Sequence, residues 1–181
     1  MMQVFKTTFI LRLLTAFIIL NSFITNSYTE ELKNNDKAPL FKLKTNEDTL
    51  FDLHDRLGKW TVLYFFPKAE TPGCTKQACA FRDNIKKIRA LDAEVYGIST
   101  DTVSNQAAFH KNHNLNFILL ADDKIEVTNM YGSKMPVLSM SKRWTFIIDP
   151  ELKIRSIEKD VDPVLDADVV AKKIEEFKKV K

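Results

Sequence analysis

The run Trp60-Thr61-Val62-Leu63-Tyr64-Phe65-Phe66 leads directly into Pro67-Lys68-Ala69-Glu70-Thr71-Pro72-Gly73-Cys74-Thr75-Lys76-Gln77-Ala78-Cys79. The first part is β-branched and aromatic, which suits a central strand buried on both faces. Beyond the turn, Ala78, Phe81, Ile85, Ile88 and Leu91 recur at three- and four-residue steps. That spacing predicts an amphipathic helix from about Thr75 to Leu91. Cys74 and Cys79, the only two cysteines, fall at its start. Two residues at i and i+5 on an intact helix have Cα atoms roughly 8–9 Å apart, from about 1.5 Å rise and 100° per residue. A disulfide needs about 4.4–6.8 Å. The pair can close only if one or two turns unwind, which is the property of a redox switch and not of a permanent staple.

Outward from this segment the chain alternates strand and helix. Leu40–Leu43 and Thr49–Leu53 read as short strands around the turn Asn46-Glu47-Asp48. Val95–Ile98 and Ile118–Leu120 read as further strands, with a helix between them capped by Asp101 or Thr102 and running to about His113. Asp122 caps another helix to Tyr131. Trp144–Ile148 and Ile154–Ile157 pair as a hairpin across Asp149–Lys153, and Asp166 or Asp168 starts a closing helix. Strand–helix alternation with a late hairpin and a final helix predicts one α/β domain of thioredoxin-like fold, a central mixed sheet flanked by helices.

At 181 residues and 45% hydrophobic content, the chain is long enough for one good core. The formal charge is +3, but two of the 27 basic residues, Lys6 and Arg12, lie in the N-terminal segment. Without them 25 basic residues face 24 acidic ones, and no basic stripe interleaved with aromatics argues for nucleic acid. The C-terminal run Lys172-Lys173-Ile174-Glu175-Glu176-Phe177-Lys178-Lys179 alternates charge at helical spacing, as a solvated face does. His110 and His113, at i and i+3 on one helix, could make only a weak metal site without a visible third ligand and are expected to be exposed helix residues; His54, beside Asp55 in a loop, is expected to be structural. Trp60, Trp144 and the 13 phenylalanines are expected in the core.

Residues 1–12 carry two cations and no acid, Leu13–Leu20 is almost wholly apolar, and Asn21–Ser27 is small and polar. This is the pattern of a secretory signal, with Thr25-Asn26-Ser27 approximating a small-x-small cleavage motif. The expected division is a signal over 1–27 and a mature domain over 28–181, exported to the periplasm or another extracytoplasmic space. The alternative is an uncleaved anchor, the only route to a membrane, although Phe9–Ile24 is short against the ~20 residues of a spanning helix. No cysteine near the cleavage region supports lipidation.

A helix N-terminus presents unpaired N–H groups and the positive end of the helix dipole. A thiol there has a populated thiolate, the nucleophilic form. Pro72 suits the first helical position, and Gly73 lets a small substrate approach the backbone. Thr71 can direct its hydroxyl towards the Cys74 sulfur or an oxygen bound beside it. Arg143, just ahead of the Trp144–Ile148 strand, is the candidate cation. A structural disulfide conflicts with the helical spacing, and a disulfide oxidoreductase would need the Cys-x-x-Cys that Gly73-Cys74-Thr75-Lys76 lacks. A non-catalytic binding protein of the same fold stays open; catalytic turnover with a recycling dithiol discriminates it.

Pro67-x3-Thr71-x2-Cys74 resembles the peroxiredoxin active-site pattern. The longer run from Thr71 to Asp83 is similar to peroxiredoxin Q, the bacterioferritin comigratory protein subfamily. Gly97-Ile98-Ser99 with Asp101, Leu119-Leu120 with Asp122, Tyr131-Gly132, and Arg143-x-Thr145-Phe146 with Ile148-Asp149 follow in the family's order, so the resemblance spans about residues 34–181. It implies an antioxidant thiol peroxidase in which Cys74 is the peroxidatic and Cys79 the resolving cysteine. Thr71 and Arg143 would polarise the peroxide and Pro67 would shield the thiolate. It further implies a hydroperoxide substrate, an intrachain disulfide, a thioredoxin-like reductant, and no metal or organic cofactor. An intrachain resolving cysteine needs no second subunit, so a monomer is expected. Two departures stand out: Leu152 where the hairpin turn usually has glycine, and the Lys134–Lys142 stretch ahead of Arg143.

Overall fold

A computed structural model describes residues 31–179, so the segment read as an export signal or anchor lies outside the described residues. The strands are β1 (Lys42–Thr45), β2 (Leu50–Asp52), β3 (Trp60–Phe65), β4 (Ala93–Ser99), β5 (Ile118–Ala121), β6 (Trp144–Ile148) and β7 (Ile154–Glu158). They form one sheet in the order β2-β1-β5-β4-β3-β6-β7. The β3–β4 and β4–β5 pairs are parallel, and the remaining pairs are antiparallel. The helices are α1 (Pro72–Arg89), α2 (Val103–Asn112), α3 (Glu126–Met130) and α4 (Asp166–Lys179). The expected mixed sheet with flanking helices is therefore present.

Period-two alternation sorts β3 between two cores. Trp60, Val62, Tyr64 and Phe66 join the cluster built by Cys74, Ala78, Phe81, Ile85 and Ile88 of α1 and by Ala167, Val170, Ala171 and Ile174 of α4. Leu63 and Phe65 join the opposite cluster with Phe41, Leu53, Tyr131 and Phe146. Phe81 and Ile88 are fully buried, each worth roughly 1.5–3 kcal/mol of transfer free energy, so α1 is fixed by packing and not by propensity. Close approach on this face depends on Gly97: a Cβ there would lie 2.6 Å from the Tyr64 ring and 2.8 Å from Leu119. Lys173 and Lys178 are not purely solvated, since Lys173 pairs with Glu158 and Lys178 bonds Asp92 and the Leu91 carbonyl at 2.9 Å. These bonds tether α4 to β7 and to the turn after α1.

Several boundaries differ from the sequence reading. α1 begins at Pro72, not Thr75, because proline needs no amide partner at the first helical position and Thr71 O accepts Thr75 N at 2.9 Å. Leu53 belongs to a 3-10 turn capped by Asp52, whose carboxylate accepts His54 N at 2.9 Å. Asp122 does cap α3, but across a left-handed Ile125, accepting from the Val127 and Thr128 amides at 3.2 and 2.6 Å. Leu152 adopts the positive φ (59°) for which glycine is usual, and its side chain is buried in the second cluster. Burying a leucine, worth roughly 1.5–3 kcal/mol, offsets a left-handed penalty of about 1–2 kcal/mol.

Candidate active site

Cys74 is the third residue of α1, 1% exposed, and both cysteines are free thiols. The amides of Gly73 and Cys74 precede the first intrahelical bond, so two donors and the dipole end face whatever lies above the sulfur. From just ahead of β6, the strand paired beside β3, Arg143 reaches the same point. Its Nη2 lies 3.5 Å from Cys74 Sγ and its Nη1 donates to Gln77 Oε1 at 2.6 Å. Gln77 in turn donates Nε2 to Asp166 Oδ2 at 2.7 Å, and Thr145 Oγ1 donates to the same oxygen at 2.8 Å. Gln77, Thr145 and Asp166 are all buried. Burial raises the Asp166 carboxyl to about 6, against the opposing bonds from Gln77 and Thr145.

The turn ahead of the helix is pinned at two points. Ala69 N donates to the buried Asp101 carboxylate at 2.8 Å, which also accepts from Ser99 Oγ at 2.8 Å. Glu70 takes a positive φ of 64°, and its carboxylate binds Asn112 at 2.9 Å and His113 Nε2 at 2.8 Å at the C-terminal end of α2. The bonds from His113 and Asn112 hold the Glu70 carboxyl below its ordinary range. A non-glycine left-handed residue costs on the order of 1–3 kcal/mol, which these anchors sustain.

Sequence reasoning had Arg143 at the thiol, and the structure brings the two together. Thr71 differs: its hydroxyl donates to Lys68 O at 2.9 Å and not to the sulfur. The left-handed Glu70 folds the chain back so that the Lys68 carbonyl is the nearer acceptor. Pro67 is half-buried at the exit from β3, between Phe66 and Ala69, which both pack in the cluster that holds Cys74. Cys79 is half-buried on the same helix. Gln77, Thr145 and Asp166 were not singled out as site residues. The available signal was polarity at inward positions, an amide within the apolar face of α1 and a carboxylate read as a cap. Asp162 instead holds the turn leading into α4, accepting the Val164 and Leu165 amides at 2.8 and 3.3 Å, while the Asp166 side chain points inward to Gln77 and Thr145. His110 and His113 acquire no metal partners: among the described residues no three His, Cys, Asp or Glu side chains converge.

The Lys134–Lys142 stretch folds back on itself through a Lys134–Ser141 bridge and Met135 N to Met140 O at 2.9 Å. Ser141 Oγ donates to Phe66 O at 2.7 Å and Thr100 Oγ1 to Ser139 O at 2.9 Å. The stretch is thus moored to the C-terminal ends of β3 and β4, where the Cys74 turn also starts.

The AhpC/TSA family model matches residues 34–157. The chain belongs to the AhpC/TSA family. Among its curated relatives is a putative peroxiredoxin bcp of Coxiella burnetii, 39% identical over 127 residues, covering 67% of this chain and 84% of the relative. Peroxiredoxin Bcp of Escherichia coli K12 is 37% identical over 145 residues, covering 77% and 93%. Peroxidoxin BcpB from Mycobacterium tuberculosis superimposes with a TM-score of 0.76 at 33% identity, covering 81% of this chain and 98% of that structure. This AhpC/TSA chain is a peroxiredoxin of the Bcp and Q type with the thioredoxin-like fold of those neighbours.

Proposed function

We propose that this peroxiredoxin reduces hydroperoxides through Cys74, resolves the product through Cys79, and is recycled by a thioredoxin-like dithiol. The single observation that carries the assignment of roles is the Arg143 guanidinium 3.5 Å from the sulfur of a buried cysteine in the first turn of a helix. The Cys74 thiolate attacks the terminal oxygen of ROOH, the O–O bond breaks, and RO⁻ leaves and takes up a proton as ROH. Charge developing on the oxygens is met by the Gly73 and Cys74 amides and by Arg143, donors set before the reaction starts. Thr71, whose hydroxyl proton is committed to Lys68 O, has lone pairs left to accept the O–H of the incoming hydroperoxide. Pro67 limits water at the thiolate. Cys74 is left as a sulfenic acid, the first rung of thiol oxidation. Cys79 then displaces water from that sulfur to give the Cys74–Cys79 disulfide, and an external dithiol returns both thiols by exchange.

The closing step needs the first turns of α1 to unwind, because i and i+5 on the intact helix stay roughly 8–9 Å apart. We further propose that the protein acts outside the cytoplasm as a monomer, on the basis of its N-terminal pattern and intrachain resolution; an uncleaved anchor is the alternative. The deciding experiment is peroxide consumption with dithiothreitol or thioredoxin. Cys74→Ser abolishes it, whereas Cys79→Ser performs one stoichiometric reaction and leaves a trappable sulfenic acid on Cys74. Equal sulfenate yield on Cys79 in the Cys74→Ser variant would reverse the roles.

A further inference from the structure

The chain of bonds behind the thiol ends on a carboxylate that the peroxide chemistry above does not use. Arg143 has two directions to satisfy, the sulfur through Nη2 and Gln77 Oε1 through Nη1. A side-chain amide can present either its oxygen or its nitrogen, and only the oxygen can accept from a guanidinium, which has donors alone. Asp166 decides between them. Its Oδ2, as a carboxylate oxygen, accepts Gln77 Nε2 at 2.7 Å and so turns Gln77 Oε1 towards Arg143. Thr145 Oγ1 holds that carboxylate from β6 at 2.8 Å. A fully buried amide pinned at both ends has no alternative rotamer of equal energy.

We propose that Asp166 is a positioning residue for the peroxide step, acting through Gln77 to hold the Arg143 guanidinium on Cys74. It rests on the reading of Cys74 as the peroxide-reactive thiol. The bonds it makes are charge-assisted while it is ionised, and such bonds are roughly twice as strong as neutral ones. With its carboxyl raised to about 6 by burial, the grip loosens in mildly acidic solution. The groups facing it are Gln77 of α1, Arg143 just ahead of β6, Thr145 of β6, Tyr64 of β3, and Glu158 of β7, which is itself paired with Lys173 of α4, while Asp160 and Asp162 share its pocket. Asp166 also lines a small pocket of about 130 Å³ with Glu158, Asp160, Val161, Asp162 and Leu165.

The test is the second-order rate constant of the reduced protein with hydrogen peroxide, divided by the Cys74 thiolate fraction read from ultraviolet absorbance. Asp166→Ala should lower it about tenfold at pH 7 in the wild-type background, and less than about twofold when Arg143 is already alanine, because coupled residues do not contribute independently. A role confined to folding would reduce both backgrounds by the same factor, which would overturn the proposal. The conservative variant supplies a second readout. In wild type the per-thiolate rate should fall as pH drops through about 6, the value to which burial raises the Asp166 carboxyl; Asp166→Asn should be flat, at the level wild type reaches below that pH. An Asp166→Asn profile identical to wild type would also overturn it. Full peroxide turnover in a Cys74→Ser control would instead remove the reading on which it stands.

Discussion

A Cβ on Gly73 would lie 3.1 Å from Nη2 of Arg143, the same nitrogen that stands 3.5 Å from Cys74 Sγ. The helix therefore leaves its second residue bare so that the guanidinium can settle above the thiol. Gly73→Ala should separate stability from activity. Alanine suits a helix better by up to about 1 kcal/mol, so denaturant midpoints should hold or rise. Arg143 has to give way by a few tenths of an ångström, and the peroxide rate constant should fall about tenfold, within the range set by misplacing a catalytic group. An unchanged rate would show that the guanidinium tolerates displacement.

Arg143→Ala should slow the peroxide step by about 10²–10³-fold, the scale of losing one oxyanion donor. Arg143→Lys should recover only part, since a point ammonium cannot serve Cys74 and Gln77 at once as the planar fork does. Stopped-flow kinetics that leave Arg143→Ala within twofold of wild type would remove Arg143 from the chemistry.

Oxidation should raise amide exchange across residues 75–82 and leave β3 protected. The unwinding has a fixed boundary on its N-terminal side. Ala69 is bonded to Asp101, and Glu70 is bonded to Asn112 and His113, so the turn ahead of Thr71 holds while α1 opens. Local opening of this kind is read directly by hydrogen exchange. Identical exchange in the two redox states would rule out the switch.

Asp166 also carries a stability signature. Its folded value of about 6 lies above the ordinary 3.8, so between those limits the folded state binds more protons than the unfolded chain. Stability then falls as pH rises through that window, the reverse of a paired surface carboxylate. Asp166→Asn cannot titrate. The difference in melting temperature, variant minus wild type, should shift in the variant's favour from about pH 4 to about pH 6 and stay level above. A constant difference would mean that the carboxyl titrates normally.

Tyr64 is fully buried, and its hydroxyl has no hydrogen-bond partner among the described residues. An unsatisfied buried hydroxyl costs on the order of 1–3 kcal/mol, so Tyr64→Phe should leave the protein as stable or more so by about 1 kcal/mol in urea unfolding. A loss above that margin would reveal a bond made by the hydroxyl.

The seven strands and four helices of the described residues were legible because apolar periodicity differs between them and because Pro72, Gly132 and the Asp and Thr caps punctuate the chain. Boundaries were less so. Lys42 and Lys44 concealed the extent of β1, which is defined by its pairing with β2 and β5. Leu152 stands in a left-handed turn that local propensity would deny it, and burial in a distant core reverses that preference.

From sequence alone came the thiol at a helix N-terminus, the second thiol five residues on, and a cation ahead of β6. Each depends on spacing along one segment, and helical geometry converts spacing into distance without further information. Where Thr71 directs its hydroxyl, which carboxylate holds the turn into α4, and how Gln77, Thr145 and Asp166 line up behind Arg143 were decided only by the fold. Asp166 lies 89 residues from Gln77 in sequence yet 2.7 Å from it in space. A buried hydrogen bond of that kind forms because packing has excluded water from both partners, and no local pattern in the chain encodes that exclusion.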